Sequence, residues 1–406
     1  MTTARSSATD FIRLEKDYGA DNYHPLEIVI QRGQGVWVWD TEGNKYLDFL
    51  AAYSAVNQGH AHPRLLKVLK EQAERVTLTS RAFYTDQLGP LYKTLHEMTG
   101  YQKILPMNTG AEAVETAIKC ARKWGYKVKG VPQGQAEILV FEGNFHGRTT
   151  TIVGFSSEDQ YRDGFGPFTP GFTLLPFGDL DAIKQAMNRN VVGVLVEPIQ
   201  GESGIIIPPD GYLRGIEALC REHRALFIVD EVQSGLGRTG KLLAFEHENV
   251  RPDLVIIGKA LAGGFYPVSA VLADDPVMSM FEPGDHGSTF GGNPLGAAVA
   301  REALRVLVDE NMIENSARLG DYFQAKLKTI DSKQIKEVRG RGLWLGIELK
   351  PEAGGARRYC EALAKHGLLC KETHEHTIRF APPLLITQEE LDWAFERVLR
   401  VFGELD

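Results

Sequence analysis

Apolar residues fall into short uninterrupted runs separated by segments of helical period. Ile138–Phe141, Val191–Val196, Leu226–Val229 and Leu254–Ile257 are such runs, and residues 111–123 ahead of them and 213–222 among them place Ala, Val, Ile and Leu at helical spacing. Continuous apolar strands alternating with helices indicate a parallel sheet covered on both faces. Ahead of them, residues 33–50 read as strand, turn and strand around Thr41–Asn44, and residues 63–75 as a helix with Pro63 in its first turn. A long helical stretch starts at Pro294 and runs to Val308. After a change of composition near 331–342 come strand Leu343–Leu349, helix 356–366, strand Thr377–Phe380 and helix 388–402. The fold class is therefore α/β, with a mostly parallel central sheet flanked by helices and a smaller α+β part at the C-terminus.

At 406 residues and 43% apolar content the chain can bury a large core. A net charge of −8 does not steer a protein towards nucleic acid, so no nucleic-acid partner is expected. No apolar stretch approaches the length that spans a bilayer, so none is expected for a membrane. Cys120, Cys220, Cys360 and Cys370 include no C-x-x-C pair and read as reduced thiols of a cytoplasmic protein. Arg5 and Arg13 near the N-terminus hint at a transit peptide, but Asp10, Glu15 and Asp17 oppose that reading.

Two motifs point elsewhere and fail on context. Gly235–Gly240 fits G-x-G-x-x-G, yet residues 230–234 separate it from the preceding strand and no convincing helix follows. Gly235–Lys241 fits the start of a P-loop, but Leu242 stands where the Mg²⁺-ligating hydroxyl belongs. The histidines of Gly59–His62 and His374–His376 offer a metal fewer than three clear ligands and read as turn and surface residues.

The chemistry gathers at strand ends. Asp230 closes the strand Leu226–Val229, and Lys259 lies just past Leu254–Ile257, where reactive groups of open α/β sheets sit. A lysine amine can condense with the aldehyde of pyridoxal 5′-phosphate (PLP), and a carboxylate can keep the pyridine nitrogen protonated so that the ring accepts electrons. In isolation such a pair is more often a structural ion pair. Asn108–Ala117 adds a helix start at Gly110 suited to a phosphate, and Gly143–Arg148 offers Phe145 for stacking.

Together with Asn22–Pro25, Tyr53–His60, Leu78–Phe83, Leu105–Gly110, Gly164–Pro167, Glu197–Glu202, His286–Pro294 and Ile378–Pro383, these segments resemble the class III PLP-dependent aminotransferases of fold type I. The match spans roughly residues 18 to 400 and is nearest to the ornithine-specific branch. The resemblance implies PLP as cofactor, Lys259 as its covalent anchor and proton shuttle, and Asp230 at the pyridine nitrogen. It implies Gln233 near the 3-hydroxyl, Phe145 stacked on the ring, and Gly110 and Ala111 at the phosphate. Ser288 and Thr289 match residues that reach the neighbouring subunit's cofactor, which implies a homodimer with shared sites or a larger assembly built on it. Tyr23 and Arg148 match groups that hold the α-carboxylate of ornithine, and Tyr53 one beside its chain. Arg379 matches the arginine that accepts the α-carboxylate of 2-oxoglutarate, and Glu202 the acid that covers it while ornithine is bound.

The implied reaction moves the δ-amino group of L-ornithine to 2-oxoglutarate, giving glutamate 5-semialdehyde and glutamate. The alternatives within the class are N-acetylornithine and 4-aminobutyrate as donors. The implied domains are an N-terminal segment, 1–50, packing with the small domain, a large PLP-binding domain, 51–295, and a small domain, 296–406. The departures from relatives, at Ser203, Val232–Ser234 and His146, are expected to touch no charged or covalent role.

Overall fold

The computed structural model describes residues 7–405; residues 1–6, which include Arg5 and the start of the 1–50 segment, and residue 406 lie outside the described residues. The strands are β1 (Ile30–Gln34), β2 (Trp37–Asp40), β3 (Lys45–Asp48), β4 (Lys103–Met107), β5 (Glu137–Phe141), β6 (Phe172–Leu175), β7 (Val191–Val196), β8 (Leu226–Asp230), β9 (Leu254–Ile257), β10 (Ser269–Ala273), β11 (Ile335–Gly340), β12 (Leu345–Leu349), β13 (Leu368–Leu369), β14 (Lys371–Thr373) and β15 (Thr377–Phe380). They form a seven-stranded sheet in the order β4-β10-β9-β8-β7-β5-β6 and two four-stranded sheets, β1-β2-β3-β13 and β11-β12-β15-β14.

In the large sheet β9, β8, β7, β5 and β6 run parallel, and β10 runs antiparallel to both β9 and β4. The apolar runs are continuous because alternate residues feed two different cores. Val194, Val196, Phe227, Val229, Val255 and Ile257 belong to one, with the helices Tyr212–His223 and Pro294–Asp309. Val192, Leu195, Ile228, Leu254 and Ile256 belong to the other, with Ala113, Val114, Ala117 and Ile118 of the helix Gly110–Trp124. A strand buried on both faces has no polar side to show.

The strands that the pattern does not reveal lie mostly at edges. β4 carries Pro106, which an edge strand tolerates because one side of it needs no ladder donor. β6 closes the other edge with only half-buried residues, and β11 is polar and edge-placed in its own sheet. β3 pairs in parallel with β13, Leu47 opposite Leu368, so the early hairpin and the C-terminal region share a sheet.

The Gly235–Gly240 segment is a buried series of turns. Arg238 within it, fully buried, donates to Leu343 O and Pro382 O at 2.7 Å each and to Asn57 Oδ1. That guanidinium ties three distant chain segments together, and nothing in the turn is shaped as a phosphate cradle leading into a helix. His60 bonds Asp48 at 2.7 Å and His62 bonds Glu310 at 3.2 Å. Among the described residues no three His, Cys, Asp or Glu side chains come together as a metal site.

Candidate active site

Strands of a parallel sheet deliver their C-terminal ends to one edge, and there stand Glu197, one residue past β7, Asp230, the last residue of β8, and Lys259, two residues past β9. These three residues line a cavity of about 180 Å³ together with Gly110, Ala111, Phe145 and Gln233. The structure thus brings together every expected cofactor residue except Ser288 and Thr289. Ser288 Oγ accepts from Asn108 Nδ2 at 2.8 Å, Thr289 is exposed, and neither borders this chain's own cavity.

Lys259 has a left-handed backbone, φ 42, a conformation that costs a side-chain-bearing residue about 1–3 kcal/mol and marks functional positions. Its amine makes no hydrogen bond or ion pair among the described residues. Burial lowers its pKa; Arg379 adds to the effect, while Glu202, Asp230 and Glu197 partly oppose it. A less charged, unpartnered lysine amine is a nucleophile at lower pH than an exposed one.

Asp230 is 5% exposed, its Oδ1 accepts from Val232 N at 3.0 Å, and its Oδ2 lies 2.6 Å from His146 Nδ1. Burial works against the imidazolium, but the hydrogen bond and charge of Asp230 outweigh it and raise the His146 pKa. The pairing corrects the expectation that no departure touches a charged role: His146 meets the key carboxylate directly. Ser203 also has a partner, Gly143 O, which links the loop after β7 to the loop after β5. Glu197, buried behind both, accepts from Phe145 N at 3.0 Å; burial pushes its carboxyl up to about 7, the nearby His146 restraining the rise. A polar residue ending an all-apolar strand is the signal that could have marked Glu197 beside Asp230.

On the far wall, Thr109 caps the helix Gly110–Trp124 and forms a capping box with Glu112. The box occupies the Glu112 N–H and leaves those of Gly110 and Ala111 at the cavity, with the positive end of the helix dipole behind them. Gly147, φ 128, holds the following loop close, since a Cβ there would stand 2.8 Å from Ala111 Cβ.

The donor set fits PLP on its own chemistry: backbone N–H groups for a phosphate, an aromatic ring, a buried carboxylate and an unpaired lysine amine in one enclosed space.

The expected substrate residues Glu202, Arg379 and Arg148 adjoin its lining through Gln233, Lys259 and Phe145. Glu202 Oε1 accepts from Arg379 Nη1 at 2.6 Å and from Gln233 Nε2 at 3.4 Å. Burial raises the Glu202 pKa, but Arg379 and Lys259 outweigh it, so the carboxylate is held ionised. Arg379, 1% exposed, lies over the Tyr53 ring at 4.8 Å. Tyr53 gets there from an unusual turn: Ala51, Ala52, Tyr53 and Ser54 all have positive φ, 46, 48, 61 and 68. Each costs about 1–2 kcal/mol, and Asp48 supports the turn by accepting from Leu50 N and Ala51 N at 2.9 Å each. Tyr23 is exposed and within electrostatic reach of Tyr53. Arg148 is exposed beside Gly147 and stacks on Tyr161, a residue not singled out by its sequence context.

A family model for class III aminotransferases matches residues 18–402. The chain is 59% identical over 390 residues to an ornithine aminotransferase of Brevibacillus brevis, covering 96% of this chain and 97% of that one. Its structure is similar to that of an ornithine aminotransferase from Toxoplasma gondii in which PLP partly occupies the active site: TM-score 0.97, 45% identity, 98% of this chain and 95% of that one. It is also similar to an acetylornithine aminotransferase from Elizabethkingia anophelis, with TM-score 0.90 and 46% identity over 98% of this chain and all of the other.

Proposed function

The chain belongs to the class III aminotransferases, and from that premise we propose that it transfers the δ-amino group of L-ornithine to 2-oxoglutarate. The products are L-glutamate 5-semialdehyde and glutamate. One observation carries the substrate reading: within electrostatic reach of Lys259 a buried arginine, Arg379, is covered by its own carboxylate, Glu202.

PLP, when bound, supplies an aldehyde that takes up an amino group and a ring that accepts electrons from the adjacent carbon. Lys259 Nζ would hold it and later carry the proton to and from the substrate carbon that bears the nitrogen. Asp230, steadied by His146, would bind the pyridine nitrogen; Gln233 the 3-hydroxyl; Phe145 one ring face; Gly110 and Ala111 the phosphate. Ser288 and Thr289 would complete the phosphate site of a second copy of the chain, which makes the working unit a homodimer.

Ornithine has two amines, and selecting the δ one requires the α-carboxylate to be kept away from Lys259. Tyr23 and Arg148 do this. Glu202 denies the carboxylate the nearer cation, Arg379, and the Tyr53 ring flanks the same guanidinium. For 2-oxoglutarate, Glu202 turns aside and Arg379 takes the α-carboxylate. Thr373 Oγ1 donates to the carbonyls of Gly201 and Glu202, and Arg339 to those of Gly204 and Ile205, so the backbone stays fixed while the side chain moves.

We assign an N-terminal segment, 1–50, whose described part goes with the small domain, a large domain, 51–295, and a small domain, 296–406; the helix Pro294–Asp309, which the last boundary divides, packs against Pro63–Ala73 and Lys259–Ala262 of the large domain. Among the described residues no helix is long and apolar enough to cross a membrane, and we place the enzyme in the cytoplasm. Turnover of L-ornithine against N-acetyl-L-ornithine, each with 2-oxoglutarate, tests the reading. Ornithine should be the better donor and its product should cyclise to pyrroline-5-carboxylate; preference for the acetylated donor would assign the chain to the other branch.

A further inference from the structure

Arg148 cannot do its work as a free surface side chain. It is exposed, it makes no ion pair with a carboxylate among the described residues, and an arginine in that state moves among many rotamers. Its guanidinium instead lies 4.1 Å above the ring of Tyr161 and 5.5 Å from that of Phe145. The two rings meet edge to face, centroids 6.1 Å apart and planes at 76°. Tyr161 comes from the short helical turn Asp159–Arg162, which follows the cavity loop that carries Phe145 and Arg148. Glu158, next to that turn, lies 3.5 Å from His374 of the C-terminal region, both side chains being exposed. Tyr161 also lies within electrostatic reach of Glu202. An aromatic face holds a cation without neutralising it, so the N–H groups of Arg148 remain available to a carboxylate. A glutamate or aspartate partner would hold the same arginine and cancel its use.

We propose that Tyr161 is a positioning residue for substrate selection, its ring fixing the Arg148 guanidinium at the distance from Lys259 where the α-carboxylate of a δ-amino donor must sit. The proposal rests on the role given above to Arg148. The structure supplies the rest: Phe145 is both a wall of the cofactor cavity and the second ring under the same cation, so cofactor and carboxylate are set by one aromatic pair. The ring is the larger contact, and the hydroxyl adds a polar one to the same guanidinium.

The test uses the PLP-loaded enzyme with two donors, L-ornithine and butane-1,4-diamine, which is the same diamine without the carboxylate. A third measurement is calorimetric binding of L-norvaline, which has the carboxylate and no δ-amine. Tyr161→Leu should raise the ornithine KM and weaken norvaline binding by about 3- to 10-fold, with the change in KM and not in kcat. The same variant should bring the plain diamine to half-saturation within about twofold of the wild-type concentration. Tyr161→Phe, which keeps the ring and loses only the hydroxyl contact, should recover most of both the ornithine KM and norvaline binding. Equal losses for the two donors, or a Phe variant as poor as the Leu variant, would overturn the proposal. Arg148→Ala separates the premise from the inference. If it leaves the ornithine KM unchanged, the role of Arg148 fails and the proposal with it. If it raises that KM while Tyr161→Leu does not, Tyr161 alone is wrongly placed.

Discussion

Replacing Glu202 by alanine removes the carboxylate that competes with substrate for Arg379. The pair is short, 2.6 Å, and Arg379 is almost fully buried. Two unit charges about 4 Å apart attract by about 4 kcal/mol at an effective dielectric of about 20, and desolvation of both groups offsets part of this. A hydrogen bond to a charged group is worth about 1.5–3 kcal/mol net, and an incoming α-carboxylate must forgo about that much to displace Glu202. Without Glu202, an α-amino acid that presents its carboxylate to Arg379 should therefore gain about 10- to 100-fold in kcat/KM. Ornithine bound for δ-transfer gains nothing, because its carboxylate lies elsewhere. The ratio of ornithine to glutamate as amino donor should thus fall by about 10- to 100-fold. Single-turnover spectrophotometry of each half-reaction reads both constants without interference from the other substrate. Glu202→Gln, whose amide oxygen still accepts from Arg379, should lie between wild type and alanine. A donor ratio within twofold of wild type in the alanine variant would refute the reasoning.

Three further outcomes follow from the same geometry. His146→Leu strips Asp230 of its 2.6 Å partner and should weaken PLP binding by about 10-fold, read by fluorescence titration of the apoenzyme; unchanged affinity would remove His146 from the site. Arg238→Met leaves Leu343 O, Pro382 O and Asn57 Oδ1 without their donor and should cost about 3 kcal/mol or more in urea unfolding, whereas a loss below about 1 kcal/mol would show that the turn is held by other contacts. The lowered pKa of Lys259 means that its amine loses its proton at a lower pH than an exposed lysine. PLP uptake by the apoenzyme should accordingly rise with pH to a plateau whose midpoint lies below 10.5; a midpoint at the ordinary value would place the amine in water.

The sheet was legible because burial on both faces leaves a continuous apolar signature, which β7, β8 and β9 carry without interruption. The reactive pair was legible for a related reason: Asp230 and Lys259 are charged residues at the ends of such strands. The edge strands β4 and β6 were not, since Pro106 and half-buried residues blur the signal. Neither was the left-handed turn that aims Tyr53, because Ala51-Ala-Tyr-Ser54 contains no glycine to announce positive φ. His146 and Tyr161 escaped because what they do depends on a partner brought from another strand or loop. Distance in space, and not residue type, gives the first its carboxylate and the second its cation. Arg238 shows the converse, a motif-like glycine loop whose physical content is a buried clamp.

The chemistry turns on the amine of Lys259. Borohydride reduction of the PLP-loaded enzyme followed by peptide mass mapping should find the phosphopyridoxyl group on Lys259, and Lys259→Ala should carry none and lose ornithine turnover. An adduct on another lysine, or turnover that survives the substitution, would contradict it.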